Sequence, residues 1–186
     1  LPPYKREINT AFQLHSLVQC RPGLIDDAES MLLMPDLFNF FLTGEKKTEY
    51  SIATTSQLID AKTKSWSPEI LSALGIPKRI LTDIVPSGTI IGGLREYLLK
   101  ELGIPDTRVI AVAGHDTQCA AVSVPSAEKD FIFISCGTWS LFGTELEQPI
   151  INAKSSALNV TNEGGFGGKT TFLKNIIGLW LIQESR

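Results

Sequence analysis

Two rhythms of hydrophobic and polar positions run along this chain, and they change over between residues 103 and 108. In the first stretch the apolar positions return every three or four residues. Ile8, Ala11, Phe12, His15 and Val18 share one helical face, and Arg21-Pro22-Gly23 predicts the end of that helix. Asp26 or Asp27 can cap a second helix, which Pro35 would close. Leu37, Phe40 and Phe41 predict a helix that runs to Gly44 as its C-terminal cap. Ser67-Pro68-Glu69 supplies an N-cap, a first-turn proline and an early acid, and Gly75 supplies the stop. A loop is expected through Pro77, Pro86-Ser87-Gly88 and Gly92-Gly93. Leu94, Tyr97, Leu98 and Glu101 then predict a short helix closed by Gly103.

From Arg108 onward the residues turn β-branched and aromatic. Val109 to Ala113 forms an apolar run that stops on Gly114-His115-Asp116-Thr117. Phe131-Ile132-Phe133-Ile134 stops in the same way on Ser135-Cys136-Gly137-Thr138-Trp139-Ser140. Both runs read as strands. A glycine where a buried strand becomes a loop lets backbone approach a ligand closely, and in α/β proteins ligands sit at such strand ends. One end offers an acid, the other hydroxyls and bare amides, a combination suited to handling a phosphate. Thr117 to Val124 predicts a short helix, and strands at 131–135 and 138–145 predict a hairpin around Gly137. Ser126 to Asp130 reads as a polar turn and a boundary between units 1–125 and 126–186. Phe172, Leu173, Ile176, Ile177 and Trp180 lie at helical spacing and predict a final helix.

Composition narrows the setting. With 186 residues, 43% of them hydrophobic, the chain can bury a real core. A net charge of −3 and a pI near 5.4 argue against nucleic-acid and membrane-surface partners. No apolar run reaches the length of a membrane span. Three cysteines without CxxC spacing and only two histidines give no zinc pattern, and they point to a reducing, cytoplasmic setting. The start on Leu1 without a methionine, and an end just past an apolar segment, read as a piece of something longer.

Taken singly, the candidate residues keep two readings each. Asp116 at a strand end can accept a proton from a hydroxyl, or it can cap the helix that follows. The 135–140 turn can cradle phosphate oxygens, or it can be an ordinary glycine hairpin. His115 alone reads as a packed loop histidine, and Asn175 and Gln183 alone as surface amides. Glu163 to Thr170 invites a phosphate-loop reading, but that motif needs glycine at position 163. Asn159 to Asn162 is also too polar for the buried strand that such a loop follows. The glycines are therefore expected to form a flexible connection before the last helix.

Taken together, these segments carry a resemblance. Gly114-His115-Asp116-Thr117, Ser-Cys-Gly-Thr-Trp-Ser at 135–140, Thr161-Asn162-Glu163-Gly164-Gly165 and Leu173 to Trp180 resemble the FGGY carbohydrate kinases, and within them the rhamnulokinases. Leu33-Met34-Pro35-Asp36, Leu42-Thr43-Gly44-Glu45 and Ala53 to Leu58 resemble the same family in the same order, so the likeness covers nearly the whole chain. It implies an α/β fold of ribonuclease-H-like (actin-like ATPase) type, a two-domain sugar kinase of which the central part is present. Residues 1–125 would be the back of the N-terminal domain and 126–186 the start of the nucleotide-binding domain.

The resemblance also implies an activity: transfer of the γ-phosphoryl group of ATP, with Mg²⁺, to O1 of L-rhamnulose in rhamnose catabolism. Asp116 matches the proton acceptor. His115, Asp116 and Thr117 match sugar contacts, and Thr138, Asn175 and Gln183 match ATP contacts. No residue matches a dedicated metal ligand. The family's N-terminal phosphate loop and C-terminal adenine site have no counterpart here, so the chain alone is expected to bind ATP poorly and to be inactive. A kinase for another ketose or polyol, such as fuculose or xylulose, is the nearest alternative. A non-catalytic sugar-binding relative and a structural actin-like module are the others.

Overall fold

The computed structural model describes residues 9–128, 130–137 and 139–185. The first stretch holds α1 (Thr10–Cys20), α2 (Pro22–Asp27), α3 (Met34–Thr43), β1 (Lys47–Glu49) and α4 (Tyr50–Thr55). Next come β2 (Ile59–Asp60), β3 (Ser65–Trp66), α5 (Pro68–Leu74), β4 (Asp83–Val85), β5 (Ile90–Gly93) and α6 (Glu96–Leu102). Then follow β6 (Arg108–Ile110), α7 (Asp116–Val122), β7 (Phe133–Cys136), β8 (Trp139–Leu146) and α8 (Ala153–Ala157). The described chain closes with β9 (Thr161–Gly164), β10 (Thr170–Ile177) and α9 (Trp180–Glu184).

The apolar face of α1 delivers Ala11 and Leu14 to a core shared with Ile25, Leu58, Leu71 and Ile80. Each large aliphatic side chain buried there contributes about 1.5–3 kcal/mol. The capping signals around α5 hold: the Ser67 hydroxyl accepts from the Ile70 amide at 3.3 Å, and Gly75 closes the helix at φ 69°. The prolines of the first helices act differently from the expectation. Pro22 opens α2, whose last turn contains Asp26 and Asp27, and Pro35 opens α3 instead of closing a helix. A proline suits a first turn because the amide it lacks has no partner there. The expected loop between residues 76 and 93 is also more structured. β4 pairs parallel with β1, and β5 pairs antiparallel with β6.

The apolar run before Gly114 is only partly a strand. β6 ends at Ile110, after which Ala111 and Ala113 are buried while Ile110 and Val112 stay exposed. Beyond it, β7, β8, β10 and β9 form one antiparallel sheet in that order, and the β7–β8 hairpin turns around Gly137 as expected.

The largest correction falls on residues 170–177, which form a strand and not a helix. All eight pair with β8, from Thr170 opposite Leu146 to Ile177 opposite Trp139, and the first four also pair with β9. Thr171 and Leu173 are fully buried, as alternate residues of a half-covered strand should be. Gly143 allows the close approach. A Cβ there would lie 2.7 Å from Leu173 Cβ and 2.9 Å from the Phe172 carbonyl oxygen.

The glycine-rich stretch is likewise a tight hairpin, not a flexible link. The Gly165 amide donates to the Lys169 carbonyl at 2.8 Å, and a 3₁₀ turn at Phe166–Gly168 lies between. Polar Thr161 enters a strand because its hydroxyl donates to the Leu173 carbonyl at 3.2 Å. None of the described helices is long and apolar enough to cross a membrane.

Hydrogen bonds dock the sheet on the helical part, among them one from the Lys64 ammonium to the Gly168 carbonyl. The Gly164 amide donates to the Thr54 hydroxyl at 2.9 Å, and the Thr171 hydroxyl donates to the Gln118 side-chain oxygen at 2.6 Å.

Candidate functional site

The site is built around a buried acid that carries no prediction from the sequence. Glu49 ends β1 and is 1% exposed. Its Oε2 accepts from the Ser51 hydroxyl at 2.5 Å, the Ile52 amide at 3.2 Å and the Gly114 amide at 2.9 Å. Its Oε1 accepts from the Ser87 hydroxyl at 2.6 Å. Four donors on one carboxylate satisfy the demand that burying such a group creates. They also fix the loop that leads into α7, because Ser51 in turn accepts from the His115 amide at 3.2 Å.

Gly114 is small for this reason. A Cβ there would sit 3.0 Å from Ile52 Cγ2 and 3.3 Å from Glu49 Oε2. The backbone at that glycine makes its close approach to the protein's own buried acid.

Glu49 has an acidic neighbour. Asp36, also buried, accepts the Glu49 amide on Oδ1 at 3.0 Å. Burial pushes the Asp36 carboxyl up to about 7; the Glu49 amide bond resists that rise, and the Glu49 charge adds to it.

Asp116 opens α7 with its side chain 97% exposed. One carboxylate oxygen, Oδ1, accepts from the Thr117 amide at 2.7 Å. That bond, with a longer one from the Thr117 hydroxyl to the same oxygen, orients the group and leaves Oδ2 open to an incoming molecule. Asp116 does not serve as the helix cap, since His115 occupies that position and makes no capping bond through its side chain. Thr117 is buried, with its hydroxyl 3.5 Å from Asp116 Oδ1.

His115 stands between two acids. Nδ1 lies 3.2 Å from Glu163 Oε2, and Nε2 lies 3.7 Å from Asp116 Oδ1. Burial works against charge on the ring. The close Glu163 carboxylate and the charges of Asp116 and Glu49 outweigh it, and together they raise the imidazole above its ordinary value.

A cavity of about 210 Å³ opens beside this histidine, lined among others by Thr54, Gln57, Asn162, Glu163 and Asn175. The structure therefore brings His115 and Asn175 to one cavity, while Asp116 is not among its lining residues and stands beside it through His115 Nε2, 3.7 Å away. Asn175 reaches the cavity from β10, not from the helix expected of it. Gln183 lies exposed on α9, outside the lining of that cavity. Thr138 lies outside the described residues. Among the described residues, no three His, Cys, Asp or Glu side chains gather as a metal site.

Glu49 and Glu163 are the residues that sequence reasoning missed. Glu163 had a usable signal, an acid beside paired glycines in a segment the resemblance already contained. Glu49 had none, because a short polar strand gives no periodicity.

Comparison with known proteins places these features in a family. Residues 5–123 match the N-terminal domain of the FGGY family of carbohydrate kinases, and residues 132–186 match its C-terminal domain. The chain is 48% identical to a rhamnulokinase of Oceanobacillus iheyensis over 179 residues, which is 96% of this chain and 38% of that protein. A rhamnulokinase of Bacteroides thetaiotaomicron is 43% identical over 96% of the chain and 37% of its own length. The chain thus spans little more than a third of these curated relatives. Among solved structures, a ligand-bound xylulose kinase from Lactobacillus acidophilus superposes with a TM-score of 0.81 at 21% identity, over 97% of this chain and 36% of that one. Plasmodium falciparum glycerol kinase with ADP gives 0.75 at 19% identity, over 94% and 37%. These establish an α/β sugar-kinase fold.

Proposed function

Because the chain belongs to the FGGY family of carbohydrate kinases, we propose that it carries the central part of an ATP-dependent kinase that phosphorylates L-rhamnulose at O1. The observation that carries the reading is Asp116: an exposed carboxylate, oriented by the Thr117 amide, 3.7 Å from Nε2 of His115, which with Asn175 lines the adjoining cavity. The sugar choice leans on the 48% and 43% identity to rhamnulokinases. Residues 1–125 would belong to the first domain and 126–186 to the second, working in the cytoplasm.

In this reading the substrate hydroxyl binds against Asp116 and His115. The hydroxyl oxygen attacks the γ-phosphorus, the bond to the ADP oxygen breaks, and the hydroxyl proton passes to Asp116. The 2.7 Å bond from Thr117 to Oδ1 fixes the direction of that carboxylate before the sugar arrives. Thr117, buried beside it, limits the room for the hydroxyl on that side. Thr138, with the Gly137 amide, would hold phosphate oxygens, and Asn175 and Gln183 would contact the nucleotide. Magnesium would come with the nucleotide phosphates, keep several of its waters, and lend charge to the transferring group.

The test is a coupled ADP-release assay on the full-length protein containing this chain, with MgATP and L-rhamnulose, L-fuculose, D-xylulose or glycerol. Preference for L-rhamnulose, lost by about 10²–10⁴-fold in Asp116→Asn, is the expected result. Preference for another sugar moves the assignment within the family. No ADP release from any sugar, or an Asn variant as active as the parent, overturns it.

A further inference from the structure

Glu163 reaches the site from the other matched domain. It lies on β9, within the C-terminal match, whereas His115 lies within the N-terminal one. Two features hold Glu163 in place. Its neighbour Gly164 packs against the ring of Tyr50 so closely that a Cβ would stand 2.7 Å from Cε1, and the Gly164 amide is bonded to Thr54. The Glu163 side chain is 19% exposed; its Oε2 and His115 Nδ1 are both buried, lie 3.2 Å apart, and have no hydrogen-bond partner of good geometry, so each is the nearest group that can satisfy the other once the ring turns slightly.

The other ring nitrogen faces Asp116 from 3.7 Å, beyond hydrogen-bond length, so a sugar oxygen can compete for it. A carboxylate on Nδ1 requires a proton there. That requirement leaves Nε2 as the ring atom that can exchange a hydrogen bond with the cavity.

We propose that Glu163 is the positioning residue of this site: its carboxylate, supplied by the second domain, holds the proton on Nδ1 of His115 and so aims Nε2 at Asp116 and the bound sugar. The role rests on reading residues 114–117 as the sugar-facing loop. It also means that the first domain's histidine is set only when β9 of the second domain is docked on α4. The charged groups facing the ring are Glu163 from β9, Asp116 from α7 and Glu49 from the end of β1.

The direct test is a ¹⁵N NMR titration of the imidazoles of the full-length protein containing this chain, with the His115 signal identified by its loss in His115→Gln and the His15 signal reporting folding. At high pH the wild-type His115 ring is expected as the Nδ1–H tautomer; the Nε2–H tautomer overturns the proposal without any variant. In Glu163→Gln the His115 midpoint is expected to fall while the His15 signal stays in place. A midpoint equal to wild type, with His15 unchanged, also overturns it.

In the full-length protein, Glu163→Gln is expected to lower kcat by up to about 10²-fold, as small misplacements of reacting groups do, with KM for ATP unchanged. Equal loss in both parameters would mark general disruption and count against a positioning role. Because the titration needs no turnover, absence of kinase activity would remove the sugar reading and leave the His115–Glu163 assignment to stand or fall on its own spectrum.

Discussion

Gly164→Ala tests how tightly the sheet is seated on the helical part. The added methyl would meet Tyr50 Cε1 at 2.7 Å, Thr54 Cγ2 at 2.9 Å and Tyr50 Cδ1 at 2.9 Å. Ordinary contact begins at 3.4 Å, so the Tyr50 ring, itself 6% exposed, must retreat by 3.4 − 2.7 = 0.7 Å or β9 must lift. Overpacking of this kind costs about 1–3 kcal/mol. Gly164 has no positive φ, so alanine also restricts the unfolded chain and returns about 0.4–1 kcal/mol. The net expectation is a destabilisation of about 1–2 kcal/mol, a drop of about 1 M or less in urea midpoint. Gly23→Ala is the matched control. It lies in α2 with nothing within 4 Å of the new methyl, and it should stabilise by about 0.5–1 kcal/mol. Urea unfolding followed by circular dichroism, on both variants at one pH, reads the difference. A Gly164→Ala midpoint at or above that of Gly23→Ala would refute the account of the seam.

Two further perturbations address the acids beneath the site. Glu49→Ala strands four donors, and at about 1–3 kcal/mol for each buried group left unpaired it should cost roughly 3–5 kcal/mol once water reaches some of them. Faster hydrogen exchange at the Gly114 amide is the local signature. Asp36, raised from 3.8 to about 7, binds its proton more tightly folded than unfolded. Its contribution to stability is therefore complete below pH 4 and is lost as pH rises to 7 and beyond. Asp36→Asn should remove that part of the slope, so the stability difference between wild type and variant should change between pH 4 and 7; a constant difference would contradict the assignment.

The helical half was legible where single residues have single meanings: Ser67 with Pro68 starts a helix, and Gly44, Gly75 and Gly103 end helices. Aspartates and prolines were misassigned around α2 and α3 because each suits either end of a short gap. The β10 error has a physical source. Apolar residues at 172, 173, 176, 177 and 180 fit a helical stripe, and nothing local reveals that Gly143 stands opposite to admit them as a strand. The motif residues at 114–117 were readable because their order is specific. The atoms that hold them were not, since Glu49 and Glu163 act across 65 and 48 positions respectively.

The distance from Glu49 to Gly114 also has a meaning in time. A ribosome adding about 5–20 residues per second separates the two by roughly 3–13 s. Through that interval the carboxylate can already take the Ser51 and Ile52 donors and later Ser87, but the part of Oε2 that the Gly114 amide covers must remain hydrated. The N-terminal half of this chain should therefore leave synthesis with Glu49 still partly hydrated, and that site should shut only when the Gly114 amide arrives. A stalled nascent chain ending near residue 100 would be the open form, and one that exposes residue 120 the closed one.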